Sequence, residues 1–155
     1  MELLILHHIQ TQDGNMDVSI IFAVFIGIAS NLSQYPVTST YPEVRFVNHE
    51  FFVENACFGK EPCRVQAWYA DTNIIYFLNK FNKSIDDMSN PEKSIVLHEY
   101  VHYLQDIHGD FTSDNCEDQV KREMEAYDIQ NRYLLTIGPV YIMPKFFRAC
   151  KDRNL

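Results

Sequence analysis

Residues 89–109 read SNPEKSIVLHEYVHYLQDIHG, and this stretch decides the fold. Ser89 stands ahead of Pro91, and Glu92 follows Ser89 by three residues, the spacing of a helical capping box. Apolar residues recur at Leu97, Val101 and Leu104 and at Tyr100, Tyr103 and Ile107, one broad face at helical period. Gly109 supplies the stop. The stretch predicts a capped helix with a buried face.

Inside it lies His98-Glu99-Tyr100-Val101-His102. Positions i and i+4 sit one turn apart on one helical face, so both imidazoles can reach a single metal ion. Zinc is the expected cofactor, because neutral imidazoles suit it and it lowers the pKa of bound water toward about 7. Glu99 lies about 100° round the helix from His98, near enough to act on that water as general base.

A tetrahedral site with one open position needs a third protein ligand. Glu123 is one candidate. His108 is another, ten residues after His98, the spacing of the third metzincin histidine. Metzincins place Gly where this chain has Gln105, and Gln at positive φ would be strained. If the helix runs on through Gln105, His108 cannot converge with the other two. Glu125, Glu117 and Asp118 remain further candidates. Residues 117–128 are charge-rich, as an ordinary solvated helix face would be. Yet Glu123, Tyr127, Gln130 and Leu134 form one stripe, and its mix of carboxylate, phenol and amide suits the wall of a site.

Glu123-Met124-Glu125-Ala126 fits the E-x-x-A pattern on which many gluzincin metallopeptidases carry their third ligand. HEYVHYLQ (residues 98–105) followed by EMEAYDIQNRYL (residues 123–134) resembles a family of small exported bacterial proteins with a gluzincin-like core. The resemblance spans roughly residues 43–137, and its specific part is the helix pair. It implies an α+β gluzincin-type core in which a short antiparallel sheet or hairpin packs on two ligand-bearing helices. It implies zinc on His98, His102 and Glu123, and hydrolysis of a peptide or protein substrate with Glu99 as base. Tyr127, one turn after Glu123, is the candidate to stabilise the oxyanion or support the ligands, a core tyrosine being its other reading. Gln105 and His108 are open as cleft residues. By analogy with zincins, substrate would add as a strand along residues 73–78, unless that strand is internal to the sheet.

The rest of the chain sets the frame. Its 155 residues suit one domain. With 46% hydrophobic residues, 5 Gly and 6 Pro, it is neither disordered nor low-complexity. A net charge of −8 excludes nonspecific nucleic-acid binding. Residues 43–47 alternate like a strand, and residues 49–57 suit a short helix. Residues 64–70 and 73–78 read as a hairpin turning at Asp71-Thr72. Residues 82–90 read as a connection. A second long helix is expected from about 114, capped by Asp114, to about 136 before Gly138-Pro139. Its expected face is Val120, Met124, Tyr127 and Leu134. A short last helix is expected over 145–152.

Residues 18–29, VSIIFAVFIGIA, fall short of the roughly 20 apolar residues that span a bilayer. They fit the apolar part of a secretory signal, with Gly27-Ile28-Ala29 as the small-residue cleavage site. No positive charge precedes the run, and a start at Met16 would make it compact. An uncleaved anchor and a buried helix are the other readings. The expected organisation is a leader or anchor over 1–30 and one exported domain over 31–155. Any membrane contact would run through the uncleaved segment. Four cysteines follow, and an even count in an exported chain reads as disulfides. Cys57–Cys63 would close a loop around Gly59 and Pro62, and Cys116–Cys150 would tie a helix start to the tail. Buried free thiols are the alternative. Two rival functions stand beside the peptidase: a noncatalytic zinc-stabilised interaction domain, and a tethered structural domain with an accidental motif.

Overall fold

The computed structural model describes residues 22–70, 72–111 and 113–138. Its elements run α1 (Val24–Leu32), β1 (Glu43–Val47), α2 (His49–Asn55), β2 (Ala67–Tyr69), β3 (Ile74–Leu78), α3 (Asn90–Ile107) and α4 (Cys116–Ile137). The architecture is α+β. Short 3-10 turns at Asn79–Phe81 and Ile85–Asp87 fill the connection between β3 and α3.

The α3 start is built as the capping signal requires. Ser89 N–H donates to Glu92 Oε2 at 2.9 Å, and Ser89 Oγ accepts from Glu92 N–H. Lys83 Nζ adds a 2.9 Å ion pair to the same carboxylate. The helix runs on through Gln105, and Gly109 takes the left-handed φ of 72° that ends it. Its apolar face buries Val96, Leu97, Tyr100, Val101, Tyr103 and Leu104, whereas Ile107 stays at the surface. The opposite face is buried too, because α3 packs against α1, α4 and β2 together.

The sheet is three-stranded and mixed, in the order β1-β3-β2, not purely antiparallel. The β2–β3 hairpin forms, with Trp68 opposite Tyr76. Its turn includes Asn73 at φ 62°, a conformation asparagine tolerates; Asp71 lies outside the described residues. The expected strand over 64–70 shrinks to Ala67–Tyr69, because β3 curls into a 3-10 turn after Leu78 and offers no further partner. β1 joins the other side of β3 in parallel, Arg45 opposite Tyr76. A parallel neighbour needs a long crossover, and α2 with β2 supplies it. Residues 73–78 are therefore internal, and substrate cannot add along them. Ile75 and Phe77 point into the core, while Phe51, Trp68 and Arg45 gather round Tyr76 on the outer face.

α4 begins one residue later than expected. Asn115, not Asp114, accepts from Asp118 N–H at 2.9 Å as its cap. Its buried face is Ala126, Ile129, Gln130, Tyr133 and Leu134, so the expected Val120–Met124 stripe is out of phase with the core, and Met124 is 40% exposed. Cys57 and Cys63 form the local disulfide. Cys116 is disulfide-bonded as well; Cys150 and the expected helix over 145–152 lie outside the described residues.

The described part of the N-terminal apolar run belongs to this core. Phe22, Phe25, Ile26 and Ala29 are buried, with Phe25 stacked on Tyr100 and edge-on to Tyr133. Among the described residues no helix is long and apolar enough to cross a membrane. Burying a Phe or Ile side chain contributes about 1.5–3 kcal/mol, so three of them rival the net stability of a domain. Phe25→Ala should lower the unfolding free energy by about 3–5 kcal/mol in urea titration. A change below about 1 kcal/mol would mean that α1 does not share this core.

Candidate metal centre

α3 and α4 lie side by side, and their facing turns bring three donors together. His98 Nε2 and His102 Nε2 stand 3.0 Å apart. Glu123 places Oε2 3.3 Å from the first and Oε1 3.2 Å from the second. The two histidines are 7% and 5% exposed, while the Glu123 side chain is 34% exposed, so the cluster sits at the floor of an opening. These three side chains can hold a metal ion.

The far side of each imidazole fixes its tautomer. Ser94 Oγ donates to Pro91 O at 2.7 Å, so it accepts from Gln130 Nε2 at 3.0 Å. That sets Gln130 Oε1 toward His98 Nδ1, 3.1 Å away, and Nδ1 carries the proton. Gln105 Nε2 donates to Arg122 O at 3.0 Å and to Glu125 Oε2 at 2.8 Å, both pure acceptors. Gln105 Oε1 therefore faces His102 Nδ1 at 2.8 Å, and that nitrogen is the donor. Arg122 Nε–H is directed at the same Nδ1 from 3.3 Å and opposes this tautomer, but the contact with the fixed amide is shorter by half an ångström and decides the proton's place. Each ring then presents Nε2 to the other and to Glu123, with Nδ1 taken up by an amide, which is the arrangement a metal site requires.

Glu99 sits beside the donors, 7% exposed, with Oε2 accepting from Tyr69 N–H at 2.8 Å. Burial pushes its carboxyl up to about 7, with His98 opposing and Glu123 adding to the rise. Glu123 goes the other way. Burial would raise it, but His102 and His98 outweigh burial and hold it far below the usual carboxylate range. Tyr127 packs on His98, ring centroids 4.6 Å apart.

These groups open on a cleft of about 710 Å³. One wall is β2 with Phe58 and Arg64 beside it; the other is α3 and α4, including Glu123, Tyr127 and Gln130. Pairing of Ala70 N–H with Ile74 O and of Leu78 N–H with Gln66 O turns the main-chain groups of Ala67 and Tyr69 away from β3, toward the free edge. The edge strand at the centre is thus β2.

Of the residues singled out in the sequence, His98, Glu99, His102, Glu123 and Tyr127 all meet here. His108 does not. It caps the end of α3 and stacks on Tyr35 at 5.6 Å, as expected once the helix runs through Gln105. Glu125 turns to Gln105 and Tyr35, and Glu117 and Asp118 occupy the first turn of α4. The pairings of Gln130 and Gln105 and the positions of Arg122 and Tyr69 N–H were missed. A glutamine three residues after His102 was the one available local signal. Comparison with protein-family models, with curated proteins and with solved structures found no match.

Residues that back metal-binding histidines typically govern affinity by about 10–100-fold. Gln130→Leu and Gln105→Leu should each weaken metal binding by about that much, measured by chelator competition, while Glu117→Ala leaves it unchanged. Equal affinity in all three variants would show that the amides do not hold the ligands.

Proposed function

We propose that this chain is a zinc-dependent hydrolase of peptide bonds with a gluzincin-type centre, acting in an exported domain. The convergence of two imidazole Nε2 atoms and the Glu123 carboxylate beside Glu99 carries this reading. Zinc with ligand bonds of about 2.0–2.1 Å separates tetrahedral donors by about 3.3–3.4 Å. The donors here stand 3.0–3.3 Å apart, so they fit that ion with adjustments of tenths of an ångström. His98, His102 and Glu123 would hold zinc, which would supply a nucleophile at neutral pH by lowering the pKa of a water molecule toward about 7.

Glu99 accepts the proton from the attacking water and returns it to the leaving amine. The Tyr69 amide anchors Oε2, leaving Oε1 for the transfer. Tyr127 is the candidate donor for negative charge developing on the substrate oxygen. An extended peptide adds to the free edge of β2 through Ala67 N–H and C=O, with its side chains in the cleft. The Cys57–Cys63 disulfide supports an oxidising, exported setting.

The tie between Glu99 and Tyr69 favours one rival, a zinc-stabilised interaction domain in which Glu99 is purely structural. Glu99→Gln separates the two. Under the peptidase reading it keeps about one zinc per chain by elemental analysis and loses at least about 100-fold in kcat on a peptide library. Stoichiometric zinc with no hydrolysis by the wild type would leave the interaction domain standing, and absence of zinc binding would sink both.

Ala67→Pro removes one edge N–H at a position where an edge strand tolerates proline. KM for extended peptides should rise about fivefold with kcat within about twofold, the loss of one hydrogen bond. An unchanged KM would place the substrate elsewhere in the cleft.

A further inference from the structure

The hydrogen bonds behind His102 do not stop at Gln105. Glu125 Oε2 accepts from Gln105 Nε2 at 2.8 Å and also from Tyr35 Oη at 2.7 Å. Tyr35 belongs to the segment after α1, ninety positions away in sequence. It is 3% exposed and tightly held. Its N–H donates to Ser33 Oγ at 3.1 Å, its carbonyl accepts from Ser30 Oγ at 2.6 Å, and its ring stacks on His108. Burial first, then the bond to Glu125, raises the phenol's pKa, which keeps it protonated as a donor.

An amide is nearly the same shape either way round, so Gln105 has no steric reason to present oxygen rather than nitrogen to His102. Its orientation comes from what surrounds its other end. Glu125 and the Arg122 carbonyl are both acceptors, and a flipped amide would set Oε1 against them. It would also set an NH2 against His102 Nδ1 and favour the tautomer that carries the proton on Nε2. That tautomer cannot ligate a metal ion through Nε2. Glu125 is in turn fixed by Tyr35, whose hydroxyl occupies the same carboxylate oxygen that orients Gln105.

We propose that Tyr35 and Glu125 are positioning residues for the metal centre, acting in series through Gln105 to keep the His102 Nε2 lone pair turned toward the ion. This rests on the metal-site reading above and extends it: the segment following α1 helps to tune a ligand on α3 that it does not touch. Docking of that segment and metal affinity are then linked, each favouring the other.

A double-mutant cycle on the full chain tests the series arrangement. Tyr35→Phe keeps the ring and its stack and removes only the hydroxyl; it should weaken zinc binding about three- to tenfold by chelator competition. Glu125→Ala should weaken it about tenfold or more. The double variant should match Glu125→Ala alone, because links in series do not add. Imidazole 15N shifts of the zinc-free protein give a second readout. His102 should be the Nδ1–H tautomer in the wild type and a tautomer mixture in Glu125→Ala, with His98 unchanged.

If the wild type binds zinc and both variants match it, the relay falls and the metal centre stands. If the two losses multiply in the double variant, the Tyr35 hydroxyl acts by a route that does not pass through Glu125 and the series is wrong. If the wild type binds no zinc yet the tautomer of His102 shifts in Glu125→Ala, the metal reading fails while the positioning role survives.

Discussion

α3 has almost no solvent face over its middle turns, yet it carries Ser94, His98, Glu99, His102 and Gln105 among its buried residues. A buried polar group left without a partner costs about 1–3 kcal/mol, against a net domain stability of about 5–15 kcal/mol. This helix therefore cannot be packed by apolar neighbours alone. Each element around it brings a partner: α4 brings Gln130, Glu123 and the Arg122 carbonyl, β2 brings Tyr69 N–H, and the segment after α1 brings Tyr35 for Glu125. The layout of the domain is largely the layout of those partners. The apolar face, with Tyr100 and Tyr103 fully buried, provides the driving force; the polar face provides the register.

What could be read from the sequence was local. The capping box, the helix through Gln105, the one-turn spacing of His98 and His102 and the Glu123–Tyr127–Gln130 stripe depend on separations of three or four residues, and all appear in the structure. What could not be read depends on contacts across long separations. Nothing in EVRFV says that β1 lies parallel to β3, and without that strand the hairpin leaves β3 looking like an edge. Amide orientation is similarly hidden. Gln130 shows up as a polar residue on a stripe, but that its oxygen faces His98 follows only from Ser94, thirty-six positions away.

The N-terminal run shows the same limit from another side. A short apolar segment has one composition whether a membrane, a secretion apparatus or a protein core is to receive it. The discriminating information is the receiving surface. Here Phe25 lies on the rings of Tyr100 and Tyr133, residues contributed by the two helices that also carry the metal-ligand candidates. Formation of the core and assembly of the centre therefore use the same two helices through different faces.

Among the described residues the order β1-β3-β2 leaves two open sheet edges, and open edges invite pairing between molecules. The β1 edge is guarded by the exposed charges of Glu43 and Arg45. The β2 edge has no such guard. It is three residues long, recessed between a loop and two helices, and Glu99 already holds one of its amides. A recess of this kind hinders a second folded copy from docking a strand of its own, so the walls that flank β2 take the place of the charges that guard β1.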